Sequence, residues 1–399
     1  MKINKRTVGF NHLNLGIIAA QRGLAFHSSC GVVRSEYERC NAILATLRLG
    51  SGQAFHSLSR RGFVSFLVLG LLGALALASC TSGGIASKPE VKLNLVSFSV
   101  TKAAHDQIIP KFVEKWQKER NQKVIFERSY GGSLAQADDV IAGKQEADVV
   151  HLALPLDVTR IADAGLIHRG WEERVPRRGV VSHSVAAIVT RAGNPKKIQS
   201  WADLAREDVT VLSADPKTSG IAIWQLLALW GSVTQTGGEP AQALDFVRQV
   251  YEKIPTLARD AREASNAFFQ EGKGDVLVTY ENEVILEGRN QPDISYFVPS
   301  VNISIDNPVA VVDRNVDKHG TREVAEAFVN FLYSEPAQQE LAKLGYRSVN
   351  PFVAKDEGLQ FPPIKTLFNA QDLGGWTLIE KEFLANNGIF EQIKNQSAS

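Results

Sequence analysis

Hydrophobic positions along residues 91–399 alternate between the period of a strand and that of a helix. Val91, Leu93 and Leu95 are separated by single polar residues, which predicts a strand. Residues 101–120 then predict a helix, because their apolar members recur at helical spacing. These members are Ile108, Ile109, Phe112, Val113 and Trp116.

The same alternation continues to the end of the chain. Further strands are predicted at 124–128, 148–154, 184–189, 210–213 and 274–280. Further helices are predicted at 134–141, 220–230, 321–333, 336–344 and 378–386. Strands that alternate with helices in this way indicate an α/β fold with parallel sheets.

An uncharged run at 63–79 stands apart from this pattern. Arg60 and Arg61 precede it, and Leu77, Ala78 and Ser79 lead into Cys80. A positive flank, an apolar run and small residues before a cysteine are typical of an export signal. Such a cysteine is where bacterial lipoproteins are cleaved and acylated. We therefore interpret 58–79 as a signal peptide. Residues 80–90 would then be the lipidated Cys80 followed by a flexible tether.

Two alternatives stay open at this end of the chain. The apolar run is just long enough to be a retained transmembrane anchor. The paired arginines fit both an ordinary and a twin-arginine signal. Residues 1–57 show no sustained period and are left as an unassigned leader, which suggests a start placed too early.

Composition limits what the exported part can do. Cys30 and Cys40 lie in the leader, so no internal disulfide is expected after Cys80, and stability must come from core burial. A net charge of +1 argues against nucleic acid and against an electrostatic membrane partner. The histidines are scattered, and no metal site or cofactor is predicted.

Three turns carry the candidate chemistry. Ser97–Ser99, 129–133 and 218–220 each follow a predicted strand and combine serine or threonine with small residues. Helix N-termini present free N–H groups and bind anions. Ordinary N-capping also explains any one such turn. Three of them at strand ends favour an anion site in the crevice there.

Four blocks of sequence carry a family resemblance. They are RAGNPKKI at 191–198 with WADL at 201–204, DPKTSG at 215–220, GDVL at 274–277 with ENE at 281–283, and GGW at 374–376 with Phe383, Ala385 and Asn386. As a set they resemble the periplasmic sulfate-binding proteins of ABC transporters. The resemblance runs from residue 91 to 393, in order and with matching spacing.

The resemblance implies a two-lobed type II periplasmic binding protein fold. Each lobe would have a mostly parallel central sheet flanked by helices, and a two-strand hinge would join the lobes. Lobe I would comprise 91–178 plus 283–399, and lobe II would comprise 179–282. The implied function is capture of sulfate in the cleft and delivery to an ABC permease. The protein would be a periplasmic monomer without catalysis, in contact with the membrane only through its lipid.

Ligand donors are also implied by position. They are the amide of Ser99, the hydroxyls of Ser133 and Ser219, the amides of Gly220, Ile221 and Ala261, and Tyr280 pointing into the cleft. Arg262 would brace the loop before the last helix, with a solvated surface arginine as the alternative. None of these donors is a carboxylate, which favours sulfate because a proton-free dianion requires donors only.

Three of these positions depart from the family pattern. Ser99 replaces an aspartate, Ile221 a glycine and Tyr280 a tryptophan. The Ile221 amide remains a donor only if the backbone there is helical. A tyrosine hydroxyl both donates and accepts, so thiosulfate and molybdate or tungstate stay open as ligands. Tyr280 as a partly buried core aromatic is the structural alternative.

Other classes find less support. A secreted hydrolase is the remote alternative, but Gly-Xaa-Ser-Xaa-Gly is absent and no histidine stands where it could activate Ser133. An iron-binding protein of the same architecture would need adjacent tyrosines, and the sequence has no such pair. A purely structural surface lipoprotein would show no ligand-linked stabilisation.

Overall fold

The computed structural model describes residues 88–289, 291, 293–356 and 361–397. These residues belong to one compact unit that begins at Ala86. The predicted leader, the signal peptide, Cys80 and most of the tether lie outside the described residues. Within those residues, no helix combines the length and the apolar character that crossing a membrane requires.

Strands and helices alternate through most of the described chain. In chain order the strands are β1 (Lys88–Phe98), β2 (Gln122–Gly131), β3 (Val149–His151), β4 (Val180–Ser184), β5 (Ala186–Thr190), β6 (Val211–Ala214), β7 (Leu257–Ala258), β8 (Val276–Tyr280), β9 (Ser295–Phe297), β10 (Val301–Ile303), β11 (Ile305–Val311), β12 (Arg347–Ser348) and β13 (Thr366–Phe368). The α-helices are α1 (Lys102–Arg120), α2 (Ser133–Ile141), α3 (Pro155–Asp163), α4 (Gly220–Thr234), α5 (Pro240–Tyr251), α6 (Ala261–Phe269), α7 (Glu281–Gly288), α8 (Asp313–His319), α9 (Arg322–Phe331), α10 (Glu335–Lys343), α11 (Pro351–Asp356), α12 (Trp376–Ile379) and α13 (Ile389–Ser397).

One sheet has the strand order β12-β4-β11-β3-β1-β2. Leu93 and Leu95 are fully buried on β1, which confirms the alternation found in the sequence. The apolar face of α1 packs on this sheet, where the Phe112 ring lies 6.0 Å from that of Phe126 on β2. β1 runs parallel to β2 and β3, whereas β11 runs antiparallel to β3 and β4.

The second sheet has the order β7-β6-β8-β5-β9. Its β5 strand is antiparallel to β8 and β9, so both sheets are mixed rather than mostly parallel. Helix α4 is apolar on nearly all sides, because the sheet, α5 and the C-terminal segment surround it. The predicted α/β class, with two sheets flanked by helices, is confirmed.

A third, two-stranded sheet pairs β10 with β13. The chain enters or leaves the first sheet towards these other two sheets at two places. Val185 joins β4 to β5, and Ser304 joins β10 to β11. Asn302 ties these crossings together, because its side-chain nitrogen donates to the Ala186 carbonyl at 2.8 Å and its side-chain oxygen accepts from the Ala186 amide at 3.3 Å. A two-strand connection of this kind is the hinge that the resemblance implied.

The predicted lobe boundaries differ from the observed sheet membership. The β4 strand lies in the first sheet, and β9 lies in the second, so the crossings fall near 185 and 304 rather than at 179 and 282. The C-terminal segment also packs on the second sheet's helices, since Trp230 meets Phe383 at 5.1 Å. We therefore call 88–184 plus 305–356 lobe I, and 186–303 plus 366–397 lobe II. Residues 88–90 begin β1 and are not tether.

Two predicted elements are also divided. The strand predicted at 184–189 is interrupted at Val185, where the chain changes sheets. The helix predicted at 378–386 begins earlier, as α12, and continues as a π-helical turn at Glu380–Leu384. Local hydrophobic period does not reveal either break.

Asp313 anchors the loops at one end of lobe I. Its carboxylate accepts from Arg174 at 2.7 and 2.8 Å, from the His168 amide at 2.8 Å and from Arg322 at 2.9 Å. Burial alone would raise the pKa of Asp313, but the hydrogen bonds from Arg174, the His168 amide and Arg322 outweigh it and hold this pKa well below its ordinary value. The ionised form therefore stabilises the fold.

We expect Asp313→Asn to lower the free energy of unfolding by about 2–3 kcal/mol near neutral pH. The reason is that Arg174, Arg322 and the His168 amide would no longer face a buried negative charge. The depressed pKa means that this contribution is present above about pH 4 and is lost as the pH falls below it. The difference between wild type and variant should therefore shrink in acid. Urea unfolding across pH measures it, with Asp163→Asn as control, because the exposed Asp163 carboxylate lies outside this network. A difference that is constant with pH would contradict the account.

Candidate functional site

Two turns, one from each lobe, meet at the cleft. The amides of Leu134 and Ala135 donate to the Thr218 carbonyl at 3.1 and 3.4 Å. A β-carbon at Gly132 would overlap that carbonyl oxygen and lie 3.1 Å from the Arg259 carbonyl oxygen. The lobes approach this closely because position 132 carries no side chain.

Gly220 makes a second close approach. A β-carbon there would overlap Ala153 Cβ and lie 3.4 Å from both Ser133 Cβ and the Tyr280 hydroxyl oxygen. Ser133, Gly220 and Tyr280, which are far apart in the sequence, therefore lie around one point. The structure brings these predicted site residues together.

Several helices begin at this point. Ser133 starts α2, Gly220 starts α4 and Ala261 starts α6. The loop before α6 reaches the contact because Thr218 Oγ1 donates to the Arg259 carbonyl at 2.7 Å. The first amides of each helix have no intrahelical acceptor, and each helix dipole places partial positive charge there. The arrangement therefore attracts an anion.

Three of the remaining predicted donors adjoin residues of this contact, since Ser219 and Ile221 flank Gly220 and Ser99 follows Phe98. Ser219 is buried as the residue before α4, and Ile221 is helical, which meets the condition set for its amide. Ser99 is half-buried and starts a short 3₁₀ turn that runs into α1. Its neighbour Phe98 packs against Tyr280, with ring centroids 5.9 Å apart.

The Ser133 hydroxyl is not free to serve as the predicted donor. It donates to Asp157 Oδ2 at 2.6 Å and accepts from the Ala153 amide at 2.8 Å. The expectation of a hydroxyl donor at Ser133 must therefore be corrected to its main-chain amide. A serine at a helix N-terminus offers both groups, and the sequence does not show which one a neighbour has already engaged.

Asp157 is the residue that sequence reasoning missed. It lies on the first turn of α3 and is fully buried, and Oδ1 has no hydrogen-bond partner among the described residues. Burial raises the pKa of Asp157 to about 7, against the hydrogen bond from Ser133, which favours the ionised form. A polar residue soon after the apolar β3 segment was the available signal.

Arg262 lies in the first turn of α6, with 32% of its side chain exposed, and forms ion pairs with α7. Its Nη1 lies 2.9 Å from Glu283 Oε1 and 3.1 Å from Glu287 Oε1, both on α7. Burial raises the pKa of Glu283 to about 7, and Arg262 opposes this rise. Asp260 caps α6 by accepting from the amides of Arg262 and Glu263, so it does not engage the Ala261 amide.

Tyr280 ends β8 and is buried at the cleft. Burial raises the pKa of its hydroxyl well above the ordinary value, so the group is a neutral donor or acceptor. Its hydroxyl oxygen would lie 3.4 Å from a β-carbon on Gly220, so this core aromatic also reaches the contact between the lobes. The two interpretations of Tyr280 are compatible.

Comparison with known proteins places the chain among transport proteins. A family model described as bacterial extracellular solute-binding protein matches residues 93–347. A sulfate-binding protein of Synechococcus elongatus is 46% identical over 346 residues, which cover 85% of this chain and 98% of that protein. The sulfate-binding protein of Escherichia coli is 38% identical, in an alignment that covers 77% of this chain and 94% of that protein.

A further relative and a solved structure extend the comparison. A thiosulfate-binding protein of Pseudomonas aeruginosa is 34% identical and covers 80% of this chain and 97% of that protein. The structure of the sulfate-binding protein SubI from Mycobacterium tuberculosis matches with a TM-score of 0.67 and 34% identity. That match covers 73% of this chain and 99% of SubI.

The contact between Gly220 and Ala153 can be tested by adding one methyl group. We expect Gly220→Ala to destabilise the protein by about 1–3 kcal/mol, because the new β-carbon forces two backbones apart. Gly288→Ala is the control, since nothing lies within 4 Å of a β-carbon there. Thermal unfolding measures both. Equal effects at the two glycines would refute the close approach.

Asp157→Asn should stabilise the protein most at high pH. The folded-state pKa is raised, so ionising the buried carboxyl costs stability progressively from about pH 4 to about pH 7. We expect the variant to gain roughly 2–4 kcal/mol at about pH 8 and little at about pH 4. The exposed Asp163→Asn serves as control in denaturant unfolding. A gain that does not grow with pH would contradict the burial of an ionisable group.

Proposed function

The chain belongs to the family of bacterial extracellular solute-binding proteins, and we propose that it captures sulfate between its two lobes for delivery to an ABC permease. The observation that carries the proposal is the meeting of the α2 and α4 N-termini at the contact between the lobes, with the loop before α6 bonded to the same turn. The names of the relatives support sulfate as the ligand.

The donor set suits a dianion without protons. The amides of Ser99, Ser133, Gly220, Ile221 and Ala261 can only donate. The hydroxyls of Ser219 and Tyr280 complete the set. Hydrogen bonds to a charged acceptor are stronger than neutral ones, so several fixed donors disperse two negative charges without a contacting lysine or arginine.

Asp157 is compatible with this ligand because it stands behind Ser133. Its Oδ2 accepts a hydrogen bond from the Ser133 hydroxyl at 2.6 Å, so this oxygen is directed at the serine rather than offered to the anion. A carboxylate in direct contact would suit a protonated oxyanion such as hydrogen phosphate.

Capture would follow closure of the lobes about the two crossings at Val185 and Ser304. The hydrogen bond from Leu134 to Thr218 forms only when the lobes meet, and it closes the cleft around the ligand. The permease would recognise this closed form, accept the anion and import it at the expense of ATP. No catalytic step on the ligand is part of this function.

Thiosulfate is a second candidate ligand. The thiosulfate-binding protein of Pseudomonas aeruginosa is 34% identical to this chain. The Tyr280 hydroxyl can accept as well as donate a hydrogen bond, so it restricts the choice of anion less strictly than a group that only donates. The proposal puts the protein in the periplasm. Anchoring through Cys80 remains a prediction, because that residue lies outside the described part of the chain.

Calorimetry tests the proposal on purified protein from which bound anion has been removed. Sulfate, thiosulfate, molybdate and phosphate are titrated in parallel. We expect sulfate to bind one-to-one and to raise the unfolding temperature, with phosphate far weaker. If sulfate gives neither binding heat nor stabilisation, the proposed function is wrong.

Ser219→Ala should weaken sulfate binding by about 1–3 kcal/mol, roughly 5- to 150-fold, because a buried charged acceptor loses a donor. The control is Ser232→Ala on the same helix, whose hydroxyl donates to the Leu229 carbonyl at 2.7 Å. The same calorimetry compares them. Unchanged affinity in Ser219→Ala would remove this hydroxyl from the site.

A further inference from the structure

Trp224 links the two lobes without standing among the proposed ligand donors. It lies on α4, one turn beyond Gly220, and only 1% of its surface is exposed. Its indole Nε1 donates to the carbonyl of Ala153 at 2.9 Å. Ala153 follows β3 in lobe I, whereas α4 belongs to lobe II, so this hydrogen bond crosses the cleft.

The residue that carries the acceptor carbonyl also contacts the site's framework through its amide. The Ala153 amide donates to Ser133 Oγ, and Ser133 Oγ donates to Asp157. Hydrogen bonds therefore connect Trp224 to Ala153, Ala153 to Ser133 at the start of α2, and Ser133 to Asp157 on α3. The hydrogen bond from the indole to Ala153 therefore fixes the position of the turn that carries the Ser133 amide.

The indole is held ready for this contact within lobe II. Its ring packs edge-on against Trp376, with centroids 5.2 Å apart and an interplanar angle of 78°. An aromatic pair of this geometry restricts the ring's orientation. If the lobes separate, the indole N–H loses its carbonyl and must find water or remain unsatisfied.

We propose that Trp224 is a positioning residue that sets how long the closed form retains its anion, by bonding lobe II to Ala153 of lobe I. The inference rests on the proposed sulfate function. It assigns to Trp224 an effect on opening of the cleft rather than on contact with the ligand. A residue of this kind changes the dissociation rate and leaves the encounter of anion and open cleft unaltered.

The test compares Trp224→Phe with Trp230→Phe, both in the full exported chain. Trp230 lies on the same helix, and its ring packs on Phe383 within lobe II. Release of ³⁵S-sulfate into excess unlabelled sulfate gives the dissociation rate constant, and calorimetry gives Kd. We expect Trp224→Phe to release sulfate roughly 5- to 10-fold faster, the effect of losing one hydrogen bond. Its association rate constant should stay within about twofold, and Trp230→Phe should release sulfate at the wild-type rate.

Three outcomes would overturn the inference while leaving sulfate binding by the wild type intact. They are unchanged release in Trp224→Phe, equal acceleration in both variants, or weaker binding that arises from slower association alone. Should Trp224→Phe fail to fold, benzothienylalanine at position 224 replaces the N–H with sulfur and keeps the ring shape, and the same rates decide. A wild type that binds no sulfate would instead refute the proposed function.

Discussion

The close approach of two glycine-containing turns is the constraint on which this site depends. Gly132 leaves room for the Thr218 carbonyl, and Gly220 leaves room for Ala153. With side chains at these positions the lobes would stand apart, and the N-termini of α2 and α4 would face water rather than each other. Because the backbones meet directly, main-chain amides from both lobes are presented at one buried place.

The electrostatic design follows from this geometry. Charged side chains are paired with neighbouring groups and are not among the proposed donors. Arg262 forms ion pairs with Glu283 and Glu287, and Asp157 accepts a hydrogen bond from Ser133. Partial charges of helix termini, fixed by the fold, would then balance the ligand. Fixed dipoles need no reorganisation when the anion arrives, whereas mobile cations would also bind water and other anions.

The sequence predicted the fold class, and the family resemblance named residues that the structure brings close together. Periodicity found β1 and α1 because Leu93, Leu95 and Phe112 obey the local pattern of one buried face. The family resemblance supplied Ser219, Gly220 and Tyr280, which no local pattern connects. Sheet membership was missed for β4, β9 and the C-terminal segment, because hydrophobic period does not state which sheet a strand joins. The engagement of Ser133 by Asp157 was missed because it depends on a contact between the first turns of two different helices.

The central claim is that backbone amides at the helix starts bind the anion. An amide NMR titration with sulfate, on protein labelled with ¹⁵N at serine, glycine and alanine, tests it most directly. The account predicts that the amide signals of Ser99, Ser133, Gly220 and Ala261 move downfield and saturate at one equivalent, while that of Gly288 stays in place. Saturating sulfate that leaves these four amides unmoved would contradict it.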